Sequence, residues 1–232
     1  MANRLLQSLL LAGACVALVP APAAAQQTLN FTLGGFAPRG FDARVAGDAL
    51  VENRDFLVFD IDDFGGATVG AEWLFPVGEY FEVGGGLGFY RRTVPSVYED
   101  FVDNDGTEIE QDLRLRIVPL TATVRVLPFG QSRAVQPYFG AGFGVFNWRY
   151  SESGEFVDFR DNSIFRESYV ADGNAPGTVA FGGLRFAGDA FSAGGEIRYQ
   201  AAEADLDDRF VGTRIDLGGW TYALTMGLRF GR

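Results

Sequence analysis

The stretch GWTYALTMGLRF, Gly219–Phe230, puts an apolar or aromatic side chain at every second position: Trp220, Tyr222, Leu224, Met226, Leu228 and Phe230. Between them stand Thr221, Ala223, Thr225, Gly227 and Arg229. A two-residue period marks a strand whose faces meet different surroundings. In a soluble sheet the apolar row faces the core and the small polar row faces water. In a membrane barrel the two are exchanged. The fold turns on which arrangement holds.

Seven further segments share this period: residues 28–36, 66–75, 81–90, 117–127, 137–147, 178–187 and 191–201. Each is near the roughly 9–11 residues that a tilted strand needs to cross hydrocarbon. The connections alternate long and short, the long ones running to roughly 29, 26, 30 and 17 residues, which compact soluble domains rarely contain. One elaborate end and one tight end is the pattern of an up-and-down barrel in an outer membrane.

Assigning faces strengthens this reading. One row collects Glu72, Glu82, Arg125, Arg185, Glu196, Arg198 and Arg229, together with many glycines, and the other row carries no charge. In residues 117–127, Ile117 and Leu127 fall on the polar row. A soluble lipocalin-like barrel would put these charges in water, but it explains neither the glycines nor the one-sided loops. With charges inside, glycine makes room for guanidinium groups crossing a narrow lumen. The expected fold is therefore all-β: an eight-stranded antiparallel up-and-down transmembrane β-barrel.

Composition agrees. The chain of 232 residues is 47% hydrophobic and 14% aromatic, with 31 glycines that would weaken helices. All 19 basic residues are Arg, His is absent, and the 30 acids give a formal charge of −11. Such acidity disfavours nucleic acid. Without His the usual base of a catalytic triad is missing, and the paired acids are too widespread to single out a glycosidase, so no enzyme activity and no cofactor are expected.

Residues 1–25 read as a cleaved signal peptide. Arg4 precedes an apolar core, Pro20 and Pro22 break it, and Ala23-Ala24-Ala25 offers small residues for cleavage. Cys15, the single cysteine, lies within this segment, so residues 26–232 form a barrel without a disulfide.

Two segments carry a family resemblance. Gly182-Gly183-Leu184-Arg185-Phe186 and Glu196-Ile197-Arg198-Tyr199-Gln200, joined by a short turn, resemble the penultimate hairpin of OmpA-type small outer-membrane β-barrel proteins. Pro137-Tyr138-Phe139-Gly140-Ala141-Gly142-Phe143-Gly144 is similar to the aromatic–glycine strand of that broad family. The resemblance implies a salt-bridged interior and delivery by the barrel assembly machinery. That machinery would read Tyr222, Leu224, Met226, Leu228 and Phe230 as a C-terminal signal, although Gly231 and Arg232 follow where the family ends on an aromatic residue.

The interior charges are expected to pair across the barrel, as a static plug in preference to a solute gate. Trp73, Phe75, Tyr80, Trp148, Trp220 and Tyr222 are expected as membrane-interface aromatics. Most acids fall in the long loops, where divalent cations could bridge them to lipopolysaccharide phosphates. Asp103, Asp105, Gly106 and Asp112 approach the spacing of a calcium loop, but Phe101 occupies the first ligand position. The expected role is structural or surface-interacting, in a monomer touching outer-membrane lipid. A narrow porin-like route stands second and an adhesin third.

Overall fold

The computed structural model describes residues 26–103 and 105–231; the expected signal peptide lies outside them. Eight antiparallel strands close into a ring: β1 (Gln27–Pro38), β3 (Gly66–Val77), β4 (Phe81–Val102), β5 (Glu108–Val126), β6 (Val135–Asp158), β7 (Ser163–Ala187), β8 (Phe191–Asp205) and β10 (Gly219–Phe230). Closure comes from β10, which pairs with β8 on one side and β1 on the other. Two short strands lie outside the ring, β2 (Leu57–Val58) beside β4 and β9 (Arg214–Asp216) beside β8. Among the described residues no helix is long and apolar enough to cross a membrane; the strands do the crossing.

Each of the eight expected segments lies on a different ring strand, and the face assignment holds along their shared length. Phe143, Leu224, Phe191, Met226 and Leu120 stand 71, 70, 68, 65 and 61% exposed, while Glu72, Glu82, Arg125, Arg185 and Glu196 are buried. Leu33, Val69, Leu87, Phe139 and Ile197 continue the exposed apolar band around the ring. Water would penalise so large a continuous apolar surface, whereas hydrocarbon accepts it.

The strands run longer than the two-residue period alone suggested. The expected long connections between residues 90 and 117, and between 147 and 178, are mostly ladder, with turns at 105–106 and 159–162. The cause is a reversal of polarity along one strand. On β5 the inward row runs Arg125, Thr123, Thr121 and then Ile117, Leu115, Leu113, Ile109, all buried. The outward row runs Val124, Ala122, Leu120 and then Arg116, Arg114, Asp112, Glu110. The change falls at Pro119, where the pairing of β4 and β5 skips from Leu87–Leu120 to Tyr90–Ile117; proline has no N–H to give a ladder. Beyond that level the barrel is built as in water, apolar inside and charged outside. Ile117 is therefore in register, inside the apolar half.

That outer half is filled by the β1–β3 connection. Its short helix α1 (Ala49–Asn53) is capped by Asp48, whose carboxylate accepts from the backbone N–H groups of Leu50 and Val51. Leu50, Leu57, Ile61 and Phe64 pack down onto Phe36, Tyr90, Leu113, Leu115, Phe146 and Tyr150 in one buried cluster. The Tyr90 hydroxyl donates to the Phe64 carbonyl. A polar latch ties this connection to the β8–β10 connection. Arg39 pairs with Asp216 at 3.1 Å and Arg44 with Asp48 at 2.8 Å, while Asp48 also accepts from the Asp216 N–H at 2.6 Å.

The polarity reversal is checked by a pair of substitutions on β5. Leu115→Ala should destabilise the protein by about 2–5 kcal/mol, the range for truncating a buried leucine. Asp112→Ala, on the outward row, should stay within about 0.5 kcal/mol. Urea unfolding of vesicle-inserted protein reads both.

Candidate functional site

The barrel axis holds the chain's most concentrated chemistry, in three levels. At the short-turn end, Arg185 of β7 forks onto Glu82 of β4, with Nη2 2.7 Å from Oε1 and Nη1 3.2 Å from Oε2. The Gln136 Oε1 accepts from Arg185 Nε at 2.9 Å and Nη2 at 2.6 Å. Gln136 in turn donates to the Gln131 and Arg133 carbonyls. Such bidentate geometry is the strong form of the pair, and strands on opposite sides of the ring are joined by it.

One level further in, two glutamates and two arginines form a closed set. Arg125 pairs with Glu72 and lies 3.1 Å from Glu196. Arg198 reaches Glu196 at 2.8 Å and Glu72 at 3.5 Å. Thr123 donates to Glu72 at 2.6 Å and the Tyr138 hydroxyl to Glu196 at 3.0 Å. The Arg125 guanidinium lies over the rings of Tyr138 and Phe181, 4.5 and 5.0 Å from their centroids, and Arg198 lies 4.6 Å from Phe181. The set is formally neutral, which is how charge is accommodated away from water. Glycine permits it: a Cβ on Gly140 would sit 2.5 Å from Phe181, and one on Gly84 would sit 2.9 Å from Thr123 and 3.1 Å from Glu72.

Above the arginines is a cavity of about 70 Å³, lined among others by Thr32, Thr68, Thr121, Gln200 and Thr221. It is large enough for a few waters, by the roughly 10–15 Å³ that each needs. Val179 of the apolar cap lies on its wall. Inside the cap, besides Asp48 and Asp216, sits Glu152, buried and held by Asn53 at 2.6 Å and Tyr150 at 2.8 Å. Burial pushes its carboxyl above the usual range, against the opposing pull of those two donors.

Six of the seven expected interior charges thus meet in two clusters. Arg229 does not join them; it donates to the Gly188 carbonyl at 2.6 Å at the short-turn end, because it is the next-to-last residue of β10. Among the expected interface aromatics, Trp73 and Phe75 stack at 5.8 Å, Phe230 meets Trp73 edge-on, and Tyr80 is exposed at the same end. Trp220 packs on Tyr199 at the long-loop end, with Tyr222 exposed beside it. Trp148 is a correction: it is 4% exposed and belongs to the apolar cap, since its row on β6 faces inward. Tyr222, Leu224, Met226, Leu228 and Phe230 all face outward. Among the described residues no group of three or more acids is arranged to hold a metal ion. The cap's polar groups, Asp48, Asn53, Glu152 and Asp216, escaped the sequence reading; the apolar run Phe146, Trp148, Tyr150 ending on Glu152 in the same row was the available signal.

The sequence matches no protein-family model and none of the curated proteins. Similar solved structures include Neisserial surface protein A, 10% identical over 90% of this chain and 100% of that one, with a TM-score of 0.48. Ail, the attachment invasion locus protein of Yersinia pestis, is 13% identical over 89% of this chain and 99% of its own, with a TM-score of 0.45. A major outer membrane protein from Thermus thermophilus is 14% identical over 88 and 99%, also at 0.45. At these values the likeness transfers no residue role.

Arg125→Met should cost about 3–5 kcal/mol in urea unfolding, because it strands two buried carboxylates. Arg198→Met, at a partly exposed position, should cost less. Glu152→Gln keeps the Oε1 acceptor and removes the proton-binding group. With its folded-state pKa raised, Glu152 favours folding most below its unfolded value, and that contribution is lost as pH rises through the folded one. The variant should therefore be more stable than the parent at neutral pH and show a flatter stability profile above about pH 4.

Proposed function

We propose that the chain is an outer-membrane barrel that acts as a closed structural and surface-presenting protein of the envelope, and not as a solute channel. The observation that carries this reading is the double seal along the axis. The Glu72–Arg125–Glu196–Arg198 set blocks the membrane half, the apolar cap blocks the outer half, and a cavity of about 70 Å³ lies beside the charged set. A path for solutes would need both seals to open. Opening the inner one uncovers paired charge, and opening the outer one wets Leu50, Phe64, Leu113 and Phe146.

In this reading residues 1–25 direct export, and the outward residues of β10 from Tyr222 to Phe230 are what the assembly machinery reads. Trp73, Phe75, Tyr80, Trp220 and Tyr222 mark the two membrane interfaces, as amphipathic rings do. The β4–β5 and β6–β7 hairpins rise beyond the apolar band as stiff ladders. They therefore present a fixed acidic surface, including Glu110, Asp112, Asp158 and Asp161, at low ordering cost to a partner.

Two measurements test this. Fractionation should place the mature protein in the outer membrane with heat-modifiable gel mobility. In planar bilayers the purified protein should give no reproducible unitary current. Steady unitary currents that vanish in Glu196→Gln or Arg198→Gln would establish a conducting lumen and overturn the closed reading.

A further inference from the structure

Four arginines gather on the outer wall just beyond the apolar band. Arg91 of β4 stands directly opposite Arg116 of β5, and Arg116 directly opposite Arg149 of β6. Arg114 is the next outward residue on β5. Like charges facing each other across strands are destabilising unless something compensates them. Among the described residues no salt bridge does so. None of the four is in an ion pair, although Asp172 is the cross-strand neighbour of Arg149 and Asp112 lies two residues beyond Arg114.

What hydrogen bonding there is fixes the guanidinium groups without neutralising them. Arg114 Nε donates to the Thr93 hydroxyl at 2.9 Å, and Arg116 Nη2 to the Asn147 side chain at 3.0 Å. The Arg116 Nε is buried and has no acceptor. The four arginines line a groove of about 340 Å³ whose other walls include Ser151, Ser153 and Ser168. In a chain of net charge −11 this is a cationic, hydroxyl-lined site shaped by four adjacent strands.

Its height decides the occupant. In the same outward rows, one step toward the membrane, stand Phe89 below Arg91 and Leu120 and Val118 below Arg116; Val145 lies below Arg149 beyond Asn147. An anion held here is thus within reach of a molecule whose acyl chains lie on the apolar band. We propose that this groove binds the phosphorylated headgroup of an outer-leaflet glycolipid directly, with guanidinium groups taking the phosphate oxygens and no divalent cation between them. Arginine suits the task, since its planar fork matches phosphate geometry. The inference rests on the barrel being inserted as proposed above, and it replaces metal bridging at the acidic loops with arginine contact on the wall.

The test uses the full mature barrel in detergent micelles with a purified bis-phosphorylated hexa-acyl glycolipid as probe, binding being read by native mass spectrometry. Arg91 and Arg149 hold no other side chain in the described structure, so Arg91→Gln/Arg149→Gln should fold normally; it should weaken binding by about tenfold or more. Arg114→Gln, as a second variant, should weaken it in the same direction, and Arg133→Gln at the short-turn end should not. Binding should survive EDTA and fall with salt. Equal binding of the dephosphorylated glycolipid, unchanged binding in both groove variants, or loss with EDTA would each overturn the proposal. Equal affinity for inorganic phosphate, or for a sulfated polysaccharide without acyl chains, would overturn the lipid assignment. Parent protein that fractionates to the outer membrane yet leaves the probe unbound defeats this inference alone, whereas protein absent from that fraction defeats the reading beneath it.

Discussion

The seam between the first and last ring strands is the constraint on which the rest depends. Twelve residue pairs run from Gln27 opposite Phe230 to Pro38 opposite Gly219 without a break in register. In hydrocarbon an unpaired backbone N–H or C=O has no water to turn to, so a sheet can cross only if it has no edge. Once the ring closes, each strand has one face toward lipid and one toward the axis, and the sequence must supply both at a two-residue period. The charged interior follows from that geometry. A lumen bounded by eight strands is too narrow for bulk water and too wide to be left empty, and crossing Arg and Glu side chains fill it while joining strands that share no ladder.

The same geometry is used twice with opposite signs. Below Pro119 the inward row is polar and neutralises itself; above it the inward row is apolar and the outward row charged. Each half obeys the solvent it meets. The boundary between them is also where the arginine groove sits, so one short stretch of β5 marks the edge of the apolar band and carries Arg114 and Arg116 just beyond it. The outer half then needs something to fill it, and the β1–β3 connection does this with Leu50, Ile61 and Phe64.

The ring was legible because all eight crossing segments carry an apolar row without interruption by charge. The extensions were not legible as strands because Arg114, Arg116, Glu110 and Asp112 look like solvated loop when the outward row is assumed to be greasy throughout. The two-residue alternation was present there with its meaning inverted. Membership of the interior clusters could be read from face alone for Glu72, Arg125, Glu196 and Arg198. Partners could not, since Arg125 and Glu72 lie on strands separated in the ring by β4, and their meeting depends on shear and side-chain reach. Trp148 was misplaced for the reason that hid the extensions: aromatic residues close to the end of a crossing segment suit either an interface or a core. Arg229 has the right face but the wrong height. The latch and the buried Glu152 left only weak traces, because Asp and Asn in loop-like sequence are ordinarily solvated.

The latch bears on how the molecule could come apart. Arg39 and Asp48 belong to the chain leaving β1, and Asp216 to the chain entering β10, so their bonds straddle the outer end of the seam. The Arg39 N–H also donates to the Gly218 carbonyl at 3.1 Å. A barrel inserted strand by strand has one joint that forms last, where the two ends of the ring come together. Here that joint is clamped from above by residues drawn from both of its sides. A sideways parting of the wall at this joint must therefore also undo the Arg39–Asp216 ion pair, whose carboxylate is buried.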